Sequence, residues 1–305
     1  MERMTLEEMN ISLGKRTRLH RMLYEHGPGN GTLLLLPLDH GVEHGPIDFF
    51  PNPPSGDPDY QCQLAKDGGY SGIAFHIGLA EKYMHDYAGD VPLILKINGR
   101  PHIPPNDRPL SAQDATVEDA VRLGADAVGY TLYVGSPRQD EDFFQLMTVR
   151  SECERYGMPL VIWSYPRGEA VEEKGGRDSI YAVDYAARLA NELGADVVKL
   201  NVPAFRDPGN AESPEPYREL YQEWQELEEN EAYRRAVEKV VASAGKTMVL
   251  FSGGSRVSDE DLLTKARICM ESGATGLIFG RNMWQRPREE GLRITEQVKD
   301  VLLSS

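Results

Sequence analysis

Eight short apolar runs, each followed by a stretch with helical periodicity, constrain what this chain of 305 residues can fold into. The runs are Thr32–Asp39, Gly72–Ile77, Pro92–Asn98, Ala125–Leu132, Pro159–Tyr165, Ala195–Asn201, Thr247–Ser252 and Gly276–Gly280. Each run is almost continuously apolar and does not alternate, which is typical of strands buried on both faces of a parallel sheet. The sequence therefore predicts a parallel sheet that helices cover on both sides.

The segments between these runs carry apolar residues at intervals of three and four, which predicts helices. They are Asp57–Asp67, Leu79–Ala88, Thr116–Leu123, Asp140–Tyr156, Asp178–Leu193, Pro216–Ser243, Ser258–Ser272 and Arg286–Leu303. Eight strand and helix units in a chain of this length predict an α/β fold, the (β/α)8 TIM barrel. An open doubly wound sheet is the alternative, but its GxGxxG nucleotide motif is absent.

Two additions to the barrel are visible in the sequence. Residues 1–30 form an N-terminal extension with one or two helices, which we expect to plug the bottom of the barrel. Residues 202–245 form a long helical insertion between strands six and seven, with an acidic stretch around Tyr217–Glu231 that suits a solvated face or a subunit contact. No long polar linker divides the chain, so we expect a single domain over residues 1–305.

The composition excludes several classes of function. With 33 basic and 48 acidic side chains the net charge is −15, which disfavours binding to nucleic acid or to anionic membranes. No apolar run is long enough to span a bilayer, and residues 1–10 do not resemble a signal peptide, so we expect a cytoplasmic protein. The three cysteines are far apart, which argues against a disulfide framework or a structural zinc site.

Polar residues stand at or near the carboxyl ends of the predicted strands, where the active site of such a barrel lies. From strand one to strand eight they are Asp39, His40, His76, Lys96, Asn98, Tyr130, Tyr165, Lys199, Asn201, Ser252, Gly253, Gly254, Gly280, Arg281 and Asn282. We therefore expect the site to be built from these residues.

Two lysines, Lys96 and Lys199, interrupt apolar strands, whereas the others have polar neighbours or precede a strand. A buried ammonium without a partner tends to lose its proton, and a neutral amine is the nucleophile of Schiff-base chemistry. Lys199, at the far end of strand six, is the better candidate; a buried salt bridge is the alternative. Lys96 is either the nucleophile or an ion-pair partner that holds Asp39 or Lys199 in position.

Asp39 and Tyr165 supply a carboxylate and a phenol at strand ends. Both are suited to proton transfer if burial and the nearby lysine bring their pKa values towards neutrality. A simple amphipathic rim aromatic is the alternative interpretation of Tyr165. The sequence thus predicts a nucleophile and two acid–base candidates in one site.

Small residues after strands seven and eight favour an anion site. Ser252, Gly253 and Gly254 follow strand seven, and Gly280 and Arg281 follow strand eight. Backbone N–H groups can approach a phosphate closely at glycine, and the Arg281 guanidinium adds a fixed charge. This pair of loops is the usual phosphate position of the fold.

Four histidines, His40, His44, His76 and His102, are possible metal ligands. His40 and His44 are four residues apart, a spacing that gathers ligands on a helix. Gly41 and the following GPIDFFPNP predict a loop instead. We therefore predict no metal site.

Together these segments resemble the archaeal-type class I fructose-1,6-bisphosphate aldolases of the DeoC/FbaB group. The resemblance extends over about residues 15 to 303 and rests on LLPLDHGVEHGPIDFFPNP, VPLILKINGR, GADAVGYTLYVGS, PLVIWSYPRG, GADVVKLN, SGG and GRNMWQRP. It implies a Schiff-base lysine at Lys199, an aspartate at Asp39, and a tyrosine and a tryptophan at Tyr165 and Trp163. His40 and Lys96 complete the residues that we expect near the substrate.

The resemblance also implies a covalent Schiff base through Lys199 without a cofactor, and a homo-oligomer. Two segments depart from the family pattern. Residues 201–205 replace a Tyr-Thr-Gly type turn after the lysine, and residues 255–257 replace Pro-Lys-Thr after SGG. The first departure lies near the nucleophile. The second keeps a positive charge, because Arg256 stands in a segment where the family has a lysine.

The function predicted from the resemblance is reversible cleavage of fructose 1,6-bisphosphate to dihydroxyacetone phosphate and glyceraldehyde 3-phosphate. One alternative is a heptulosonate synthase-like transaldolase of aromatic amino-acid biosynthesis, although segments such as KxNG and WSYPRG are unusual in that enzyme. The other is a non-catalytic barrel that binds sugar phosphates. Such a barrel would not need Lys199, Tyr165 and Asp39 together.

Overall fold

The computed structural model describes residues 1–209 and 212–305 and contains a closed barrel of eight parallel strands. The barrel strands are β1 (Leu33–Pro37), β2 (Gly72–His76), β3 (Leu93–Lys96), β4 (Ala127–Val134), β5 (Leu160–Pro166), β6 (Val197–Leu200), β7 (Met248–Ser252) and β8 (Gly276–Ile278). Each strand pairs with the next one along the chain, and β8 pairs with β1. The predicted (β/α)8 fold is confirmed.

Most of the α-helices cover the outside of this barrel. The α-helices are α1 (Leu13–His20), α2 (His40–Glu43), α3 (Pro58–Asp67), α4 (Ile77–Tyr83), α5 (Val117–Arg122), α6 (Gln139–Tyr156), α7 (Glu169–Glu172), α8 (Ile180–Glu192), α9 (Glu215–Gln225), α10 (Glu229–Ser243), α11 (Asp259–Glu271), α12 (Arg281–Trp284) and α13 (Arg288–Leu303). A short antiparallel ladder joins Asn98–Gly99 to Ala112–Gln113. Among the described residues, no helix combines the length and the hydrophobicity that a membrane crossing requires.

Alternation along β5 shows how the strands divide their side chains. Val161, Trp163 and Tyr165 belong to the apolar cluster inside the barrel, whereas Leu160 and Ile162 pack in the cluster beneath the helices. A period of two in a strand produces this division. It also explains a difference from the sequence analysis: Tyr130 points outward from β4, where its hydroxyl donates to Asp142 Oδ1 on α6 at 2.6 Å.

The N-terminal extension packs against the amino-terminal end of the barrel. Leu6, Leu19 and Met22 are buried in the same cluster as the interior residues Leu33 and Met248. Nearby, the buried Lys15 ammonium lies 2.9 Å from the Asp196 carboxylate, which also accepts a hydrogen bond from the Leu160 N–H at 2.8 Å. The active-site end of the barrel is therefore the opposite one.

The expectation of one long helix over Pro216–Ser243 is wrong. The chain instead forms α9 and α10, which are separated at residues 226–228. Arg206 donates to the Trp224 carbonyl at 2.6 Å, and Leu227 packs against the core, so both interactions favour the break. The acidic stretch is not wholly solvated, because Trp224 is buried.

Candidate active site

A cavity of about 410 Å³ opens at the carboxyl ends of the strands. This volume falls within the range typical of small-molecule sites. It is lined by Pro37, Asp39, His40, Glu43, His44, His102, Tyr165, Arg167, Arg177, Asp178, Lys199, Asn201, Val202, Ser252, Gly253, Gly254, Ser255, Lys265, Ile278, Gly280 and Arg281. The barrel thus gathers Lys199, Tyr165 and Asp39 around one space with two glycine loops, residues 252–254 and 280–281.

Lys199 is the buried amine of this cavity. It is 5% exposed, and its Nζ makes no hydrogen bond or ion pair within residues 1–209 and 212–305. Its Nζ lies 5.0 Å from the centre of the Tyr165 ring and 5.3 Å from that of Trp163. Burial lowers the pKa of Lys199 to about 8, although the charges of Asp39 and Glu43 oppose the shift. The buried salt bridge that the sequence left open is therefore not formed.

Lys96 is held differently, although it is also buried. Its ammonium donates to the Asn98 carbonyl at 2.9 Å and to Thr131 Oγ1 at 2.6 Å, and lies 4.0 Å from Asp39 Oδ2. Of the two roles that the sequence allowed, the geometry favours the ion-pair partner of Asp39.

Asp39 carries the negative charge beside the two lysines. Burial would raise the pKa of its carboxyl, but the positive charges of Lys199 and Lys96 outweigh it and lower the pKa to about 2. Asp39 is therefore ionised at neutral pH. Its carboxylate is suited to stabilise a cation formed at Lys199.

Tyr165 lines the cavity beside Lys199, and its hydroxyl has no hydrogen-bond partner in the described part of the chain. Burial, together with the negative charges of Glu43 and Asp39, raises the pKa of Tyr165 well above its usual value. The expectation that the lysine brings this pKa towards neutrality is wrong for the free enzyme, because desolvation dominates. The phenol starts as a proton donor.

The two glycine loops have the close packing that an anion site needs. Gly254 has φ of 67°, a conformation that L side chains rarely adopt. A Cβ at Gly253 would lie 2.8 Å from Asn282 Nδ2, and one at Gly280 would lie 3.0 Å from His40 Cε1. Arg281 lines the same wall, and its buried Nε has no hydrogen-bond partner among the described residues. An unpaired guanidinium N–H beside two glycine loops is a ready donor for phosphate.

Trp163 and Lys96 do not line the cavity, although we expected both near the substrate. Each is fully buried, with the Lys96 Nζ 5.3 Å from the centre of the Trp163 ring. A Cβ at Gly129 would lie 2.8 Å from Trp163 Cζ3 and 2.9 Å from Lys96 Cδ, so this glycine makes room for both inside the barrel. Trp163 therefore stands beside its register partner Lys199, and Lys96 beside Asp39, inside the barrel and behind the cavity wall.

His40 is the cavity histidine nearest to Asp39. Its Nδ1 lies 3.7 Å from Asp39 Oδ1 and makes no hydrogen bond among the described residues. Burial lowers the pKa of His40 to about 4, so the ring is neutral at neutral pH. Ser252, at the end of β7, donates weakly to Asn201 Oδ1 at 3.4 Å.

Loops and two helices, α2 and α11, supply the cavity residues that sequence reasoning did not place in the site. They are Glu43, His44, His102, Arg167, Arg177, Asp178 and Lys265. Most follow a strand end by several residues, so the pattern of apolar runs does not reveal them. Arg167 belongs to the WSYPRG segment, so of these residues it was the easiest to predict from the sequence.

The loop predicted after Asp39 is wrong in one respect. Residues His40–Glu43 form the helical turn α2, which the His44 N–H extends by donating to the His40 carbonyl at 2.7 Å. A single glycine, Gly41, weakens a helix but does not prevent one turn. The turn places Glu43 and His44 on the cavity rim.

Known proteins resemble this chain over most of its length. The model of the DeoC/LacD family aldolases matches residues 33–286. A class 1 fructose-bisphosphate aldolase of Thermoproteus tenax is 40% identical over 257 residues, which cover 84% of each chain. A class 1 fructose-bisphosphate aldolase of Halobacterium salinarum is 37% identical over 84% of this chain and 86% of its own.

A solved structure shares both fold and sequence with this chain. It is an archaeal fructose-1,6-bisphosphate aldolase whose catalytic lysine is covalently bound to the carbinolamine intermediate of the substrate. The TM-score is 0.77 and the identity 36%, over 93% of this chain and 99% of that one.

Proposed function

Because this chain belongs to the DeoC/LacD family of aldolases, we propose that it is a class I aldolase that reversibly cleaves fructose 1,6-bisphosphate to dihydroxyacetone phosphate and glyceraldehyde 3-phosphate. The observation that carries the proposal is the unpaired, buried amine of Lys199 with its pKa lowered to about 8. An appreciable fraction of this lysine is neutral at physiological pH, as a Schiff-base nucleophile must be.

The first half of the reaction forms the iminium. The Lys199 amine attacks the C2 carbonyl, and the resulting carbinolamine loses its C2 hydroxyl as water. Tyr165, which is protonated before the substrate binds, donates the proton that this departing hydroxyl needs. Asp39 stays ionised and stabilises the positive charge that remains on the iminium nitrogen.

The second half cleaves the carbon chain. The C4 hydroxyl loses its proton and forms the C4=O bond, so that C4 becomes the aldehyde carbon of glyceraldehyde 3-phosphate. The electron pair of the broken C3–C4 bond moves to the iminium, which becomes an enamine. Tyr165 is a tyrosinate after the first step, so it is the base for this proton. Protonation of the enamine at C3 and hydrolysis then release dihydroxyacetone phosphate and restore Lys199.

One phosphate of the substrate is bound by Gly253, Gly254, Gly280 and Arg281. The unpaired Arg281 Nε and the tight packing around the glycines support this assignment. His40 and Ser252 lie on the same cavity and complete the predicted contacts. Trp163 and Lys96 do not line the cavity, and their role is to hold Lys199 and Asp39 in position from inside the barrel.

The cellular location, the assembly and the metabolic role of the enzyme follow from the same proposal. We expect a cytoplasmic homo-oligomer that serves glycolysis and gluconeogenesis. The acidic composition and the family resemblance support this expectation. Light scattering on the purified protein measures the number of chains in the assembly, and a monomer at working concentration would contradict it.

A coupled assay tests the function. Fructose 1,6-bisphosphate should be cleaved at similar rates with and without a chelator, with glyceraldehyde 3-phosphate as one product. Binding of the sugar phosphate without any cleavage would favour the non-catalytic barrel. Full loss of cleavage on chelation would favour a metal-dependent reaction and contradict the Schiff-base mechanism.

A further inference from the structure

Two segments that are far apart in sequence bring three ligating side chains together on the cavity rim. Glu43 and His44 lie in and directly after α2, and His102 follows the Asn98–Gly99 ladder. One carboxylate oxygen and one ring nitrogen of each histidine lie within 4.8 Å of one another. The His102 N–H donates to the Glu43 carbonyl at 2.9 Å, which fixes the two segments relative to each other.

The three side chains are prepared to act as ligands. His44 Nδ1 lies 2.5 Å from Asp48 Oδ2, a contact that orients the ring and leaves Nε2 available. Carboxylates commonly hold metal-binding histidines in this way. Glu43 Oε1 is buried and has no hydrogen-bond partner among the described residues. The His102 ring lies against the His44 ring, with 4.6 Å between the ring centres.

We propose that Glu43, His44 and His102 form a binding site for one divalent transition metal ion such as Zn²⁺ at the rim of the cavity. Two imidazoles and a carboxylate are a common donor set for Zn²⁺, and three protein ligands leave a further position open. The spacing of His40 and His44 does not reveal this site, because the second ring comes from His102 in a distant segment.

The charges around the cluster favour a cation at these atoms over a phosphate. Glu43 and Asp48 bring two carboxylates, which repel a phosphate because both groups are negatively charged and neither donates a hydrogen bond. The guanidinium groups of Arg167 and Arg177 line the same cavity and oppose a cation through their positive charge. We therefore expect moderate affinity.

The ion has a consequence for the enzyme because its three ligands line the same cavity as Lys199. An ion held there narrows the route to the nucleophile. The inferred role is inhibition by the metal and not catalysis, so metal-free enzyme remains active.

Titration of untagged, chelator-treated protein with Co²⁺ tests the binding. We expect one ion per chain with the intense visible absorption of a low-coordinate cobalt site, and at least a tenfold loss of affinity in His102→Ala. His85→Ala is the matched control, because His85 is exposed and contacts only Asp86 in the described residues. It should bind as the wild type does.

Inhibition by Zn²⁺ tests the position of the ion. Each variant is compared with its own metal-free cleavage rate, and Zn²⁺ should slow the wild type and His85→Ala but leave His102→Ala unaffected at the same concentration. No binding to the wild type, equal binding by His102→Ala, or binding without inhibition would each overturn the proposal. Binding is measured without substrate, so its failure leaves the aldolase assignment intact.

Discussion

The charge state of individual residues determines the chemistry of the cavity. Lys199 and Asp39 are buried together, yet the pKa values of both are lowered, the first by burial and the second by the two lysines. Tyr165 moves in the opposite direction, because burial raises the pKa of its phenol. The free enzyme therefore combines a partly neutral amine, a carboxylate and a protonated phenol.

Replacement of Tyr165 tests the proton transfers. Tyr165→Phe keeps the ring against Lys199 but removes the hydroxyl, so kcat should fall by roughly 10²- to 10⁴-fold, the usual contribution of a positioned acid or base. Steady-state kinetics with fructose 1,6-bisphosphate give this value. KM for the phosphate ester should change little. A near-normal kcat would assign the proton transfers to Asp39 instead.

The pH dependence of cleavage tests the lowered pKa of Lys199. The nucleophile is the neutral amine, so kcat/KM should rise with pH and level off above about 8. Asp39 raises the pKa of Lys199 through its negative charge. Asp39→Asn should therefore shift the rising part of the kcat/KM profile to lower pH and also slow turnover. An unchanged pH profile in Asp39→Asn would show that Asp39 and Lys199 do not interact.

Arg281 tests the phosphate site. Arg281→Ala removes a charged donor whose contact is worth about 1.5–3 kcal/mol, so KM for phosphorylated substrates should rise about 10- to 150-fold. KM for an unphosphorylated analogue should rise far less. Equal increases for both substrates would remove Arg281 from the phosphate site.

At the scale of elements, the strands position the chemistry and the N-terminal helix supports them from the other end. Leu19 on α1 is fully buried in the interior cluster. Leu19→Ala should reduce the free energy of unfolding by about 2–5 kcal/mol, which denaturant melts measure.

A matched change on the same helix controls this prediction. Leu13 is 83% exposed, so Leu13→Ala should alter stability by less than about 0.5 kcal/mol. Because α1 lies at the end of the barrel away from the cavity, metal-free Leu19→Ala that remains folded should have the same KM as the wild type. A large change in KM would show that the two ends of the barrel are coupled.

The strands and most helices could be predicted from the sequence because their apolar patterns repeat. Lys199 and Lys96 stood out for the same reason, since each interrupts such a pattern. The break between α9 and α10 could not be predicted, because it depends on the contact of Arg206 with Trp224. The rim residues Glu43 and His102 meet through loop geometry, which apolar periodicity does not describe.

At the scale of the whole molecule, the closed barrel explains why two similar lysines differ. Lys199 on β6 lines the cavity, whereas Lys96 on β3 is fully buried, does not line it, and donates to Asn98 and Thr131. Their separation around the barrel places Asp39 within reach of both charges. Only one of the two lysines is free to form a bond with a substrate.

Reductive trapping tests this central claim most directly. Borohydride added to the enzyme with dihydroxyacetone phosphate reduces the iminium to a stable secondary amine, and peptide mass spectrometry locates it. We expect a single label on Lys199, irreversible loss of activity, and no label in Lys199→Ala. A label on Lys96, or full activity in Lys199→Ala, would contradict it.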